Sequence, residues 1–113
     1  MSHLDSTWKE FEKWIDDNKI ETKDKLLLDI GCKDEVDKPF FDSMCFKWFG
    51  IDKNPHGNII TMDMTDLKFN EDYFDFVFVC HSLEHCENPL QALREFQRVV
   101  NPGGYIFISI PCH

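Results

Sequence analysis

The chain has 113 residues, 42% of them hydrophobic and 14% aromatic, enough for one folded domain with a real core. A formal net charge of -9 argues against non-specific binding to DNA or RNA, whose phosphates demand clustered Lys and Arg, and against anionic membrane surfaces. A small cationic ligand would be compatible with that field.

The opening MSHLDSTWKEFEKW has no basic segment followed by an apolar one, so no signal peptide is expected. No apolar run approaches the ~20 residues of a membrane span. The five cysteines are irregularly spaced, and three lie within or beside strand-like runs, which reads as reduced thiols in a cytoplasmic protein.

Residues 1–24 contain neither Gly nor Pro, and Leu4, Trp8, Phe11 and Ile15, with Trp14 beside them, fall on one helical face. Thr7 and Glu10 form a capping-box pattern, which predicts a helix starting near Thr7 and packing on a sheet. Five apolar, β-rich runs follow, at 25–30, 46–51, 58–63, 74–80 and 104–110. Most are continuous rather than alternating, as strands covered on both faces are. Between the second and third, KNPHG is too short for a helical crossover, so that connection is expected to be a bare extended return. Between the last two, Asn88 and Pro89 start a helix that carries Leu90, Leu93, Phe96 and Val100 on one face. NPGG then stops the helix and turns the chain. This rhythm predicts a single α/β domain with a doubly wound, mostly parallel sheet.

In such sheets ligands sit beyond the carboxyl ends of the strands, where strand order reverses. The first run ends with Asp29 and Gly31. The second ends FGID, placing Asp52 some twenty residues later, where a carboxylate accepts hydrogen bonds from two ribose hydroxyls. The third ends in Asp63 and Met64, an acceptor and an apolar plate suited to an adenine. The fourth ends VCHSLEHCENP, crowding His81, Ser82, Glu84 and His85 at one rim. Asp52 equally suits a turn cap before Asn54-Pro55, and Asp63 a cap of the TDL turn. Asp75, at the start of its strand, is expected to serve turn geometry. Cys80, His81, His85 and Cys86 are adjacent rather than paired at a distance, so no metal is expected. His85 is a candidate general base because its side chain titrates near neutral pH, though a backbone carbonyl could equally hold it at the rim.

The ordered set LLLDIGC, FGIDKNP, ITMDMTDLKF and YFDFVFVCHSLEHCENPLQALREFQRVVNPGGYIFISIP resembles the class I S-adenosylmethionine-dependent methyltransferases of the type 11 branch, from about Lys25 to Pro111. The resemblance implies a Rossmann-like sheet of strand order 3-2-1-4-5, with S-adenosylmethionine as cofactor. It assigns Asp29 and Gly31 to the methionine end of that cofactor and Asp52 to the ribose, with Cys32, Lys33 and Lys53 among the cofactor-binding residues. Asp63 and Met64 fall to the adenine, and His81 and Ser82 to the methyl donor. HSLE stands where an NPPY-like tetrapeptide would mark methylation of a nucleobase amine, so the implied acceptor is a small molecule of unread identity. A nicotinamide dinucleotide is disfavoured by the missing G-x-G-x-x-G.

Two departures qualify the resemblance. The family loop runs acidic-x-Gly-x-Gly-x-Gly, whereas Lys33 and Glu35 occupy the later glycine positions here. Their charges could pair with the carboxylate and ammonium of the cofactor or block it. Family members also continue past the fifth strand with a helix and two antiparallel strands. Ending at FISIPCH leaves YIFISIP as an apolar edge, which is expected to pair in a homodimer or to belong to a longer protein. A methyltransferase-like module without catalysis, holding a cofactor or a partner subunit, is the alternative expectation.

Overall fold

The computed structural model describes residues 4–32, 34–54, 57 and 59–110, with Leu4 and Asp5 described by backbone alone. Helix α1 (Leu4–Asp17) leads into β1 (Leu26–Ile30), α2 (Lys38–Ser43), β2 (Lys47–Asp52) and β3 (Ile60–Thr61). Then come β4 (Phe74–Cys80), a short 3₁₀ turn (Leu83–His85), α3 (Pro89–Val99) and β5 (Val100–Ser109). The sheet order is β3-β2-β1-β4-β5 and every pairing is parallel, as expected for a doubly wound α/β domain.

Two apolar layers sandwich the sheet. On one face Leu28, Ile30, Val77 and Val79 meet Ala92, Phe96 and Val99 of α3. On the other, Leu27, Phe76 and Phe78 meet Phe11 and Ile15 of α1 and Phe41 of α2. Phe11, fully buried, is the hub: its ring stands edge-on to Phe41, Phe78 and Phe107 at 5.2–5.7 Å. Edge-to-face contacts set the positive ring rim against a neighbour's negative face, which suits a layer built so largely from phenylalanine.

Several boundaries differ from the sequence expectation. Helix α1 begins at Leu4, so Thr7 lies inside it and caps nothing. No Gly or Pro stops the helix from running past Thr7, and that hydroxyl instead hydrogen-bonds the Cys80 thiol beneath it. Helix α2 has no counterpart in the sequence reading, because KPFFDS is too short to show a helical period. In α3 the Asn88 cap and Pro89 start are as expected, with Asn88 Oδ1 accepting from Gln91 N–H at 3.2 Å. Its buried stripe is Ala92, Glu95, Phe96 and Val99, whereas Leu90 is 65% exposed. Val100 is already extended, and residues 101–104 bulge out of β5 before pairing resumes at Tyr105. Asp75 accepts Leu26 N–H at 2.9 Å and Asn101 Nδ2–H at 2.8 Å, securing the starts of β1 and β5. The β2–β3 connection has no helix among its described residues, and β3 shrinks to two residues. No helix of the described residues is long and apolar enough to cross a membrane.

Candidate functional site

The sheet order reverses between β1 and β4, and the strand ends there open a cleft of about 720 Å³. That lies within the range of ~300–1,000 Å³ typical of small-molecule sites. Gly31, Asp52, Lys53, Asp63, Met64, His81, Ser82 and His85 all line it. Eight residues singled out from four separate stretches of sequence therefore converge on one cavity.

Its floor is built by Gly31. The residue has φ +72°, and its N–H donates to Ile51 O at 2.9 Å, turning the chain across the end of β2. A β-carbon at position 31 would lie 2.0 Å from Ser82 Oγ and 2.7 Å from Ser82 Cβ. Both conformation and space therefore demand glycine. Ser82 in turn donates to Cys80 O at 3.1 Å. Beside it His81 adopts φ +53°, a left-handed conformation that side chains other than glycine rarely take, with its N–H donating to Ser109 O at 2.8 Å. Such strain commonly sits where geometry serves a site.

Both predicted turn caps form, and both carboxylates still face the cleft. Asp52 Oδ1 accepts Asn54 N–H at 2.8 Å. Asp63 Oδ1 accepts both the N–H and the hydroxyl of Thr65, at 2.9 and 2.7 Å. Those bonds hold the Asp63 carboxyl below its ordinary range, with Lys53 Nζ, 3.9 Å from Oδ2, adding a little. The cap and ligand readings are thus compatible, because a carboxylate fixed by one oxygen points the other predictably. His85 is exposed at the rim, its backbone N–H donating to Ser82 O at 3.1 Å in the 3₁₀ turn.

Two expected residues lie elsewhere. Asp29 is 1% exposed and absent from the cleft lining. It shares the α1–α2 face of β1 with Leu27, where Trp48 Nε1–H donates to its Oδ2 at 3.0 Å. Trp48 reaches it by folding across Gly50, where a β-carbon would sit 2.3 Å from the indole ring and 2.9 Å from Cys32 Sγ. Cys32 is likewise buried, its thiol donating to Ile51 O at 3.4 Å. Burial first, then the Asp29 charge, pushes that thiol far up, which suits packing and not chemistry. Lys33 lies outside the described residues. Among the residues that sequence reasoning left out, Asn54, Met62, Thr65 and Glu87 also line the cleft. Only Thr65 carried a signal, as the polar residue two after a candidate cap. Cys80 faces the aromatic layer while His81, His85 and Cys86 line the cleft, so the four do not converge on one point.

Residues 28–108, most of the chain, match the family described as methyltransferase domain. Protein MJ1123 of Methanocaldococcus jannaschii is 28% identical over 131 aligned residues, covering 97% of this chain and 62% of that protein. Among solved structures, BH2331 of Bacillus halodurans superposes with a TM-score of 0.73 at 17% identity, over 89% of this chain and 49% of that one. A SAM-dependent methyltransferase from Aquifex aeolicus gives a TM-score of 0.62 at 19% identity, over 86% and 67%. The chain thus spans less than two thirds of the length of MJ1123 and about half of BH2331. Family match, sheet order and the placement of the cleft agree: this chain belongs to the methyltransferase domain family.

Proposed function

We propose that the chain binds S-adenosylmethionine in the cleft and takes part in methyl transfer to a small-molecule acceptor. The observation that carries this is the pair of carboxylates Asp52 and Asp63. Each is fixed by its own turn at the end of a neighbouring strand, and both face the cavity floored by Gly31. Asp52 would accept from the ribose hydroxyls, and Asp63 with Met64 would meet the adenine. Gly31, His81 and Ser82 would border the reacting end.

When bound, the cofactor supplies an electrophilic methyl group. The chain's own share is positioning, which alone lowers barriers by several kcal/mol when reacting atoms are aligned, at about 7–11 in favourable cases. His85 at the rim would take the proton that an acceptor hydroxyl or amine loses. The -9 charge and HSLE after β4 support a small acceptor over nucleic acid.

Calorimetry and thermal shift with S-adenosylmethionine and S-adenosylhomocysteine test this reading. Saturable binding is expected, and no response at millimolar ligand would defeat it.

A second reading, a methyltransferase-like subunit that works through a partner, is favoured by β5. Among the described residues this strand pairs only with β4, and residues 103–110 carry no charge and no proline to blunt the edge. The occupant that fits is β5 of a second copy, running antiparallel in a continuous sheet. A dimeric mass by light scattering, reduced to monomer by Phe107→Lys, would support it; a monomeric mass would end it.

A further inference from the structure

Beneath the turn that follows β1, two acidic side chains are buried against each other. Asp29 and Asp37 retain 1% and 3% of their surface, and their side chains are hydrogen-bonded to one another. A carboxylate cannot donate, so this contact requires a proton held between them. Trp48 Nε1–H already occupies Asp29 Oδ2, and Oδ1 of Asp37 is buried without a partner among the described residues.

The surroundings favour that proton. Burial, then the Asp37 charge and, more weakly, Asp52, hold Asp29 well above the usual carboxylate range, against the opposing Trp48 bond. Asp37 is raised to about 6, chiefly by burial, with the Asp34 charge adding and the Asp29 bond opposing. The nearby thiols Cys32 and Cys80 are both pushed up by burial and stay neutral. Both carboxyls are thus held toward the protonated form, so the pair shares one proton.

These two residues bracket the glycine-poor loop. Asp29 precedes Gly31 on β1, and Asp37 closes the loop at the foot of α2. Within it Asp34 Oδ1 accepts Val36 N–H at 2.9 Å, while Val36 itself is exposed. We propose that Asp37 is a positioning residue: through the proton it shares with Asp29 it ties the foot of α2 to the end of β1 and so sets the position of the cleft floor at Gly31. The consequence for ligand binding rests on the cofactor reading above, but the fastening itself does not.

The indole N–H resonance of Trp48, assigned by its loss in Trp48→Phe, reads the fastening without any ligand. In Asp37→Asn the amide can donate to Asp29, keeping the tie while removing the Asp37 charge; in Asp37→Ala the tie is gone. The wild-type resonance is expected to titrate with a midpoint at about 6. In the Asn variant Asp29 titrates alone and the midpoint should move, whereas in the Ala variant the resonance should be displaced throughout. With S-adenosylhomocysteine as probe at neutral pH, the Asn variant should bind within about threefold of wild type and the Ala variant at least about tenfold more weakly. A purely structural acid pair would lower the melting temperature of the Ala variant and leave affinity of the folded protein unchanged. Equal affinity in Asp37→Ala, or a wild-type resonance indifferent to pH, overturns the proposal. Should the Ala variant fail to fold, the contrast between wild type and Asn variant still decides it. If wild type does not bind the probe, the cofactor reading falls and the indole titration alone judges the fastening.

Discussion

Gly31 and Ser82 touch across the floor of the cleft so closely that no side chain fits between them. Introducing alanine at position 31 sets a β-carbon against Ser82 Oγ and Cβ and forces a left-handed alanine. Gly31→Ala should destabilise the protein by about 2 kcal/mol or more, combining left-handed strain with overpacking. A fall in Tm of roughly 10 °C is the readout in thermal unfolding. Because the clash is pairwise, adding Ser82→Gly should recover part of the loss, and strict additivity would refute the contact.

Asp52 serves its own turn through Oδ1, which allows the turn role to be separated from binding. Asn at this position keeps the oxygen that accepts Asn54 N–H and discards the charge. Asp52→Asn should therefore leave stability within about 0.5 kcal/mol of wild type. Its affinity for S-adenosylhomocysteine should drop at least about tenfold, the scale of a charge-assisted hydrogen bond. Asp52→Ala should lose both, and unchanged affinity in either variant would remove Asp52 from the site.

Across the sheet, Glu95 and Arg98 hold residues 67–69 onto α3. Glu95 Oε1 accepts Leu67 N–H at 2.8 Å, and Arg98 donates to Phe69 O and Leu67 O, both at 2.8 Å. Removing Glu95 strands a buried N–H, so Glu95→Ala should cost about 1–3 kcal/mol. The Arg98 hydrogen bond, first, and that of Leu67 hold the Glu95 carboxyl below 4.5, against burial. The native state thus favours the ionised form. Its contribution is fully present above pH 4.5 and is lost as pH falls through the depressed native value. The acid limb of a Tm–pH profile should be shallower in Glu95→Gln than in wild type.

Gly50 leaves room for the Trp48 ring on its way to Asp29. Gly50→Ala should push the indole away, leaving the buried Asp29 short of a donor and lowering stability by about 1–3 kcal/mol. A shift of the Trp48 indole N–H resonance would accompany it. An unperturbed indole resonance would show that the ring does not need this gap.

Much of the architecture was legible because its signals are local. Asn88-Pro89 before LQALREF marks a helix start through a side-chain acceptor and a ring that needs no N–H, and α3 begins there. KNPHG is too short to hold a crossover helix, and β2 and β3 pair in parallel across it. Helix α2 escaped notice because six residues give less than two turns, too few for periodicity to rise above noise. Leu90 was misplaced because an apolar residue at the right spacing in the first turn can still overhang the sheet edge.

Taken alone, the sequence determined which strands exist and that Asp52, Asp63, His81 and Ser82 stand at their carboxyl ends, since each follows a run of apolar residues that must be buried. It could not determine which way Asp29 points. LLLDI is apolar on both sides, so it lacks the period-2 alternation that would assign faces. Register with β2 and β4 made that choice, turning Asp29 away from the cleft toward Trp48 and Asp37. Nor could the sequence separate Asp37, 3% exposed, from Asp34 and Glu35 in the same polar loop. Burial of an acid is decided by what packs over it, and here the partners come from β1 and β2, far away along the chain.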